Sequence, residues 1–446
     1  MKRKLLVLLT LGLVMAFSSS VLAADVKFSG NFYVAGMYQD RTTVSKWMYE
    51  STSGWDSPST AFYYQRLRVL AEVVVSPGLS LITRFDAMER DWGAPRAGQG
   101  ITVLSEIMGA PDSAGSRREN ENIAFDWAYI RYASPIGVFT VGYQDDLVWG
   151  TKFADNSRPA GKIAWAYTFG GLTLMADVAK LVELSSTAKW NTGLTDSDID
   201  KYSVAAKYAW NKGEAGMKVF YLRALHGVGI NTDIYGVVPY AKAKFGPIAV
   251  EAEVDYYWGN LVKTDGFKMK LESLGIYVDA LADMGMFYAG ATFAYLAGDK
   301  NLIDDNKIKI MSGGMDWNPT LILFNWERTY WAGVTTGSAW FDVGLWSNAW
   351  FYQVRGGVRL IPALDLGASL TYARADKRQL ENSLIYIPNA GKDYGWELDV
   401  TANYKITNNL SYMLGVGYLW TGKYFVEQGD KALDNYLVIN KLTLTF

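Results

Sequence analysis

Charged residues in this chain recur at every second position. Arg66 and Arg68, Arg84 and Asp86, Glu251, Glu253 and Asp255, and Glu397 and Asp399 all follow that spacing, and Arg355 and Arg359 follow its double. A period of two places such residues on one face of a β-strand. On a wetted face, rows of both signs attract and orient charged solutes, or they neutralise one another and only keep the face hydrated. Counting outwards from the turns proposes pairs. From Gly246-Pro247, Lys242 falls opposite Glu251; from Ser76-Pro77-Gly78, Arg68 falls opposite Asp86; from Ile361-Pro362-Ala363, Arg359 falls opposite Asp365. Opposed residues of a strand pair lie about 5 Å apart.

Covalent and metal chemistry are poorly supplied. His226 is the single histidine, its neighbours Ala224, Leu225, Gly227 and Val228 include no serine, and the chain has no cysteine. Neither a thiolate site nor a histidine pair can form. The stretch Asp196-Ser197-Asp198-Ile199-Asp200 begins like a calcium loop, but Lys201 and Lys207 stand where that loop needs Gly and Glu. Gly227-Val228-Gly229 lacks the strand and helix that give a phosphate loop its meaning. The expectation is no enzyme, no metal and no cofactor.

The elements that must position the charged rows are strands. In the hairpin of residues 235–258, Val237, Ala241, Ala243 and Phe245 alternate with Val238, Tyr240, Lys242 and Lys244, and Ile248, Val250, Ala252 and Val254 alternate with Ala249, Glu251, Glu253 and Asp255. One face is apolar and the other charged. Each arm runs about eleven residues, the length of a tilted strand that crosses a bilayer. The same pattern predicts about eighteen strands, from residues 25–39 to residues 433–446. Short connections such as Gly170-Gly171, Asn211-Lys212-Gly213 and Thr407-Asn408-Asn409 alternate strictly with longer ones. A closed antiparallel barrel has short periplasmic turns and long outer loops, so the expected fold class is all-β, a transmembrane β-barrel with both ends at the periplasmic side. Tyr143, Trp165, Tyr208, Trp210, Trp258, Tyr295, Tyr404, Tyr418 and Trp420 lie near strand ends, where interfacial aromatic girdles sit.

Residues 1–23 read as a signal peptide: Lys2, Arg3 and Lys4, an apolar core from Leu5 to Phe17, then Val21-Leu22-Ala23. Residues 24–446 form the expected barrel. The whole chain has a net charge of −2, and loss of the three basic residues makes the remainder slightly more acidic. That balance argues against a nucleic-acid partner. In the last strand Tyr436, Val438, Leu442, Leu444 and the final residue Phe446 share one face, with Asn440 as the exception.

The mature chain resembles Gram-negative outer-membrane porins. The resemblance is architectural and covers residues 24–446. Strand number points to the eighteen-stranded groups, namely sugar-specific trimeric porins, monomeric carboxylate-selective porins and alginate exporters, and no motif selects one. It implies residence in the cell outer membrane among lipid and lipopolysaccharide. It also implies assembly by the barrel-assembly machinery through the Phe446 strand, and diffusion of small hydrophilic solutes through a water-filled lumen. A homo-oligomer is compatible with it. The rivals are a selective transporter or exporter of a sugar or anionic polymer, and a structural barrel within a larger complex.

The longest connection, residues 297–348, carries an apolar stretch with Trp317, Phe324 and Trp326, followed by Glu327 and Arg328. Left in water it would be an exposed apolar patch. An added strand pair, a subunit contact or inward folding could bury it. Inward folding would make residues 317–331 a constriction and put Glu327 and Arg328 in the pore.

Overall fold

Alternation of apolar and polar residues leaves each strand with one face for lipid and one for the lumen, and only closure satisfies every backbone group in a bilayer. The computed structural model describes residues 25–42, 44–46, 59–93, 123–183, 198–225, 230–300, 306–332, 347–378, 390–426 and 429–446. Its strands are β1 (Asp25–Gln39), β2 (Thr60–Ser76), β3 (Leu79–Asp91), β4 (Ile123–Ser134), β5 (Gly137–Asp146), β6 (Arg158–Phe169), β7 (Leu172–Val182), β8 (Ile199–Trp210), β9 (Gly213–Leu225), β10 (Asn231–Phe245), β11 (Ile248–Thr264), β12 (Phe267–Asp283), β13 (Phe287–Leu296), β14 (Lys307–Ile308), β15 (Ala349–Ile361), β16 (Leu364–Ala375), β17 (Asp393–Lys405), β18 (Leu410–Thr421) and β19 (Asn435–Thr445). A helix, α1, spans Trp326–Ala332. The two-residue β14 lies parallel against β12, and β13 pairs directly with β15. The other eighteen strands form one antiparallel sheet that closes where β1 meets β19.

The seam is sealed by the end of the chain. Gly30 N–H donates to the Phe446 carbonyl at 2.8 Å, and Phe446 N–H donates back at 3.1 Å. Facing outward are Ile163, Val204, Val354 and Val400, each more than half exposed, as lipid-facing side chains must be. Charges in their place would cost about 2–4 kcal/mol each at the bilayer midplane. Of the girdle residues, Tyr143, Tyr208, Trp210, Trp258, Tyr404, Tyr418 and Trp420 are exposed at strand ends.

The sequence pattern misses three features. The outer connection between β11 and β12 is a two-residue turn at Asp265 and Gly266, not a long loop, so loop length does not alternate strictly. The ladder runs on past the apolar alternation because Lys263 pairs with Lys268 and Asn260 with Lys270, outside the membrane where polar side chains suit both faces. The second is α1, and the third is the path of two connections into the barrel. No extra spanning pair arises from residues 306–332. The expected signal peptide, His226, Gly227 to Gly229, Asp196, Ser197, and residues 301–305 and 333–346 of the long connection lie outside the described residues.

Candidate pore constriction

Two connections enter the lumen and meet there. The first, residues 147–157, joins β5 to β6. Trp149 donates its ring N–H to the Val238 carbonyl at 2.9 Å and stands edge-on to Tyr240 at 5.3 Å. Thr151 N–H donates to Glu253 of β11. Between them, Gly150 has a φ of +72°, and a Cβ there would come within 2.3 Å of the Glu253 carboxylate, so only glycine lets the backbone approach. Phe153 is stacked on Tyr277 of β12 at 5.2 Å.

The second, residues 306–332, is a described part of the connection from β13 to β15. Trp317 meets Phe153 at 5.3 Å and Phe351 of β15 at 5.1 Å. Phe324 lies between Phe351 and Tyr394. Gln353 donates to the Pro319 carbonyl at 2.9 Å. Glu397 of β17, wholly buried, accepts from Ile322 N–H at 2.6 Å and from Leu323 N–H at 2.7 Å. Helix α1 then starts with Asn325, whose side-chain oxygen accepts from Arg328 N–H at 2.8 Å in the manner of an N-cap. Trp331 stacks on Tyr64 of β2 at 4.4 Å, and Glu327 pairs with Lys441 of β19 at 2.6 Å.

The two connections bond to each other. Gly314 N–H donates to the Phe153 carbonyl at 2.7 Å, Met315 N–H to the Asn156 side chain at 2.9 Å, and Ser157 N–H to Asp316 at 2.9 Å. The result is a bar across the lumen, tied to β10–β12 at one side, to β15–β17 at another, and to β1–β2 and β19 through α1. Burial holds Asp155, in the first connection, up to about 7 and Asp316 adds to the rise, while the N–H of Trp149 opposes it.

The charged rows divide between open wall and bar. On β2–β5, Arg68 forks onto Asp86 at 2.7 and 2.6 Å. Arg84 donates to Asp126 at 2.8 Å and lies over the Trp127 ring at 3.6 Å. Arg66 sits 3.6 Å from Glu89. On β12–β16, Arg355 holds Asp279 at 2.7 Å, and Arg359 holds Asp283 at 2.8 Å and Asp365 at 3.2 Å. Lys242 stands opposite Glu251 in the ladder, but Glu251 accepts from the Tyr277 hydroxyl at 2.9 Å. Each of these arginines thus meets an acid across or beside its strand.

Five expected pore residues need correction. Glu253, Asp255, Glu397 and Asp399 point inward yet are at most 4% exposed, because the bar covers them. Glu253 and Glu397 anchor the bar's backbone. Arg328 is buried at 1% and donates to Gln39 at 3.2 Å, so only Glu327 of that pair keeps contact with water. Trp149, Thr151, Phe153 and Asp155 are absent from the sequence expectations. Their signal was the apolar run Leu147-Val148-Trp149 with Phe153, too aromatic for a short solvated loop.

No family model and no curated protein matches the sequence. Among solved structures, OccK9 (OpdG) of Pseudomonas aeruginosa is similar at 15% identity and a TM-score of 0.52, over 95% of this chain and 99% of that one. OccK2 (OpdF) of Pseudomonas aeruginosa, in complex with glucuronate, is similar at 10% identity and a TM-score of 0.50, over 96% and 99%. The outer membrane channel DcaP of Acinetobacter baumannii is 12% identical with a TM-score of 0.43, over 96% and 99%. The fold of this chain is that of the outer-membrane channels of Gram-negative bacteria.

Proposed function

We propose that this protein is an outer-membrane pore for small hydrophilic solutes, narrowed by the bar of residues 147–157 and 306–332. The observation that carries the reading is the bar itself, two segments bonded to each other and anchored by buried carboxylates on two separate stretches of wall, β11 and β17. It leaves the arginine and carboxylate rows of β2–β5 and β12–β16 along the remaining path. Because those rows are matched in sign, ion preference is weak. The outer face takes lipid and lipopolysaccharide, and the seam strand ending in Phe446 is the surface that the assembly machinery reads.

Purified protein in planar bilayers tests the pore. Stable ohmic steps in potassium chloride are expected, and replacing residues 317–331 by a short Gly/Ser linker raises the step. A folded barrel that never conducts refutes the pore, and an unchanged step with loss of an oligomer makes the segment an assembly contact instead.

A further inference from the structure

Behind the bar, against β8–β12, lies a cavity of about 370 Å³ that narrowing the pore does not require. The register of three strands sets its floor. Lys218 of β9 pairs with Val238 of β10. Val237 pairs with Tyr256, so Val238 falls opposite Asp255 of β11. An ammonium and a carboxylate therefore flank one valine on neighbouring strands, with backbones about 10 Å apart.

Lys218 is buried without an acid to pair with, and Asp255 is buried without a cation, beside a second acid. Lys218 is 7% exposed; its ammonium lies 5.9 Å from the Trp149 ring and, among the described residues, meets no carboxylate within ion-pair reach. Asp255 is 1% exposed; one oxygen accepts from the Tyr257 hydroxyl at 3.0 Å, and the side chain also meets the Glu253 carboxyl, a second acceptor to which it can bond only through a shared proton. When both acids are ionised, neither the remaining Asp255 oxygen nor the remaining Glu253 oxygen has a donor. Buried polar atoms left unpaired are costly, and native proteins pair nearly all of them.

One row further out the wall turns apolar. Phe220 and Tyr257 stand edge-to-face at 5.3 Å across Gly236, where a Cβ would come within 2.2 Å of the Phe220 ring. Leu222 and Ile234 continue the surface towards the outer mouth.

We propose that this cavity binds a zwitterionic α-amino acid with an apolar side chain. Its carboxylate lies on Lys218, its ammonium on Asp255, and its side chain points outwards along Phe220 and Leu222. A ligand with an anion alone adds negative charge beside the Asp255 and Glu253 carboxyls and brings them no cation. A ligand with a cation alone leaves Lys218 unpaired. A void of about 150 Å³ suffices for benzene, so this cavity has room for an aromatic ring and a charged head. The site rests on the pore reading only for its supply of solute from outside.

Calorimetry on the detergent-purified full chain tests it, with L-phenylalanine, 3-phenylpropionate and 2-phenylethylamine as probes. L-Phenylalanine is expected to bind about tenfold or more tightly than either singly charged analogue. Lys218→Met should weaken L-phenylalanine and 3-phenylpropionate but not 2-phenylethylamine, and Asp255→Asn should do the converse. Unboiled samples on a detergent gel verify that each variant is folded, and the three-probe comparison on the native chain stands even where a variant does not fold. No binding of L-phenylalanine, or 3-phenylpropionate binding as tightly, overturns the proposal. Failure of the pore shows separately, as absence of potassium chloride conductance.

Discussion

Removing the Glu397 carboxylate isolates what holds the bar in place. In Glu397→Ala, the N–H groups of Ile322 and Leu323 lose their acceptors at 2.6 and 2.7 Å in a buried setting. Each unpaired buried donor costs about 1–3 kcal/mol, so docking weakens by about 2–6 kcal/mol. Against this stands the burial of Trp317, Ile322, Leu323 and Phe324, all at most 6% exposed. At about 1.5–3 kcal/mol per side chain, that term is about 6–12 kcal/mol. The apolar term is the larger, so the segment stays docked in most molecules and the mean conductance step stays near its native value. The undocked state nevertheless gains: a loss of about 2.8 kcal/mol makes brief openings about a hundredfold more frequent. Single-channel recording in planar bilayers reads both quantities. Native opening frequency in a folded Glu397→Ala channel refutes the clamp. A fully enlarged step refutes the balance of terms, because hydrogen bonds would then outweigh apolar burial.

Replacing Arg66, Arg68 and Arg84 together by Gln removes the cations that face Glu89, Asp86 and Asp126, and the reversal potential in a salt gradient should shift towards cations. An unmoved potential would place these arginines off the conducting path. Asp155 is held up to about 7 from an ordinary 3.8, so the docked connection keeps a proton that an undocked one would release. Its contribution to docking is present below about pH 4 and lost as pH rises to about 7, so openings become more frequent over that window. Asp155→Asn should flatten the slope, and a native slope in that variant would assign it to other groups. Phe446→Asp removes the apolar end of the seam strand and should lower assembled protein in the outer membrane without blocking export, as fractionation would show.

The spanning strands were legible because a bilayer enforces period two over many residues. Alternation placed Arg68 opposite Asp86, Lys242 opposite Glu251 and Arg359 opposite Asp365, and the ladder has each of those pairs. Parity also told inward from outward for Glu253, Asp255, Glu397 and Asp399. Parity could not tell whether an inward residue meets water or chain, since that depends on segments distant in sequence. Glu397 is buried by backbone more than seventy residues away and Glu253 by backbone about a hundred away. The apolar content of residues 317–331 demanded burial and left its site open among three. Phe351, Tyr394 and the Glu397 carboxylate, brought together only by barrel closure, decided for the lumen. Residues 147–157 carried a weaker signal, because a short run with one Trp and one Phe argues against solvent but fits lipid or core alike. Their place was decided by Glu253 and Tyr277 on the far wall, partners that no local pattern could supply.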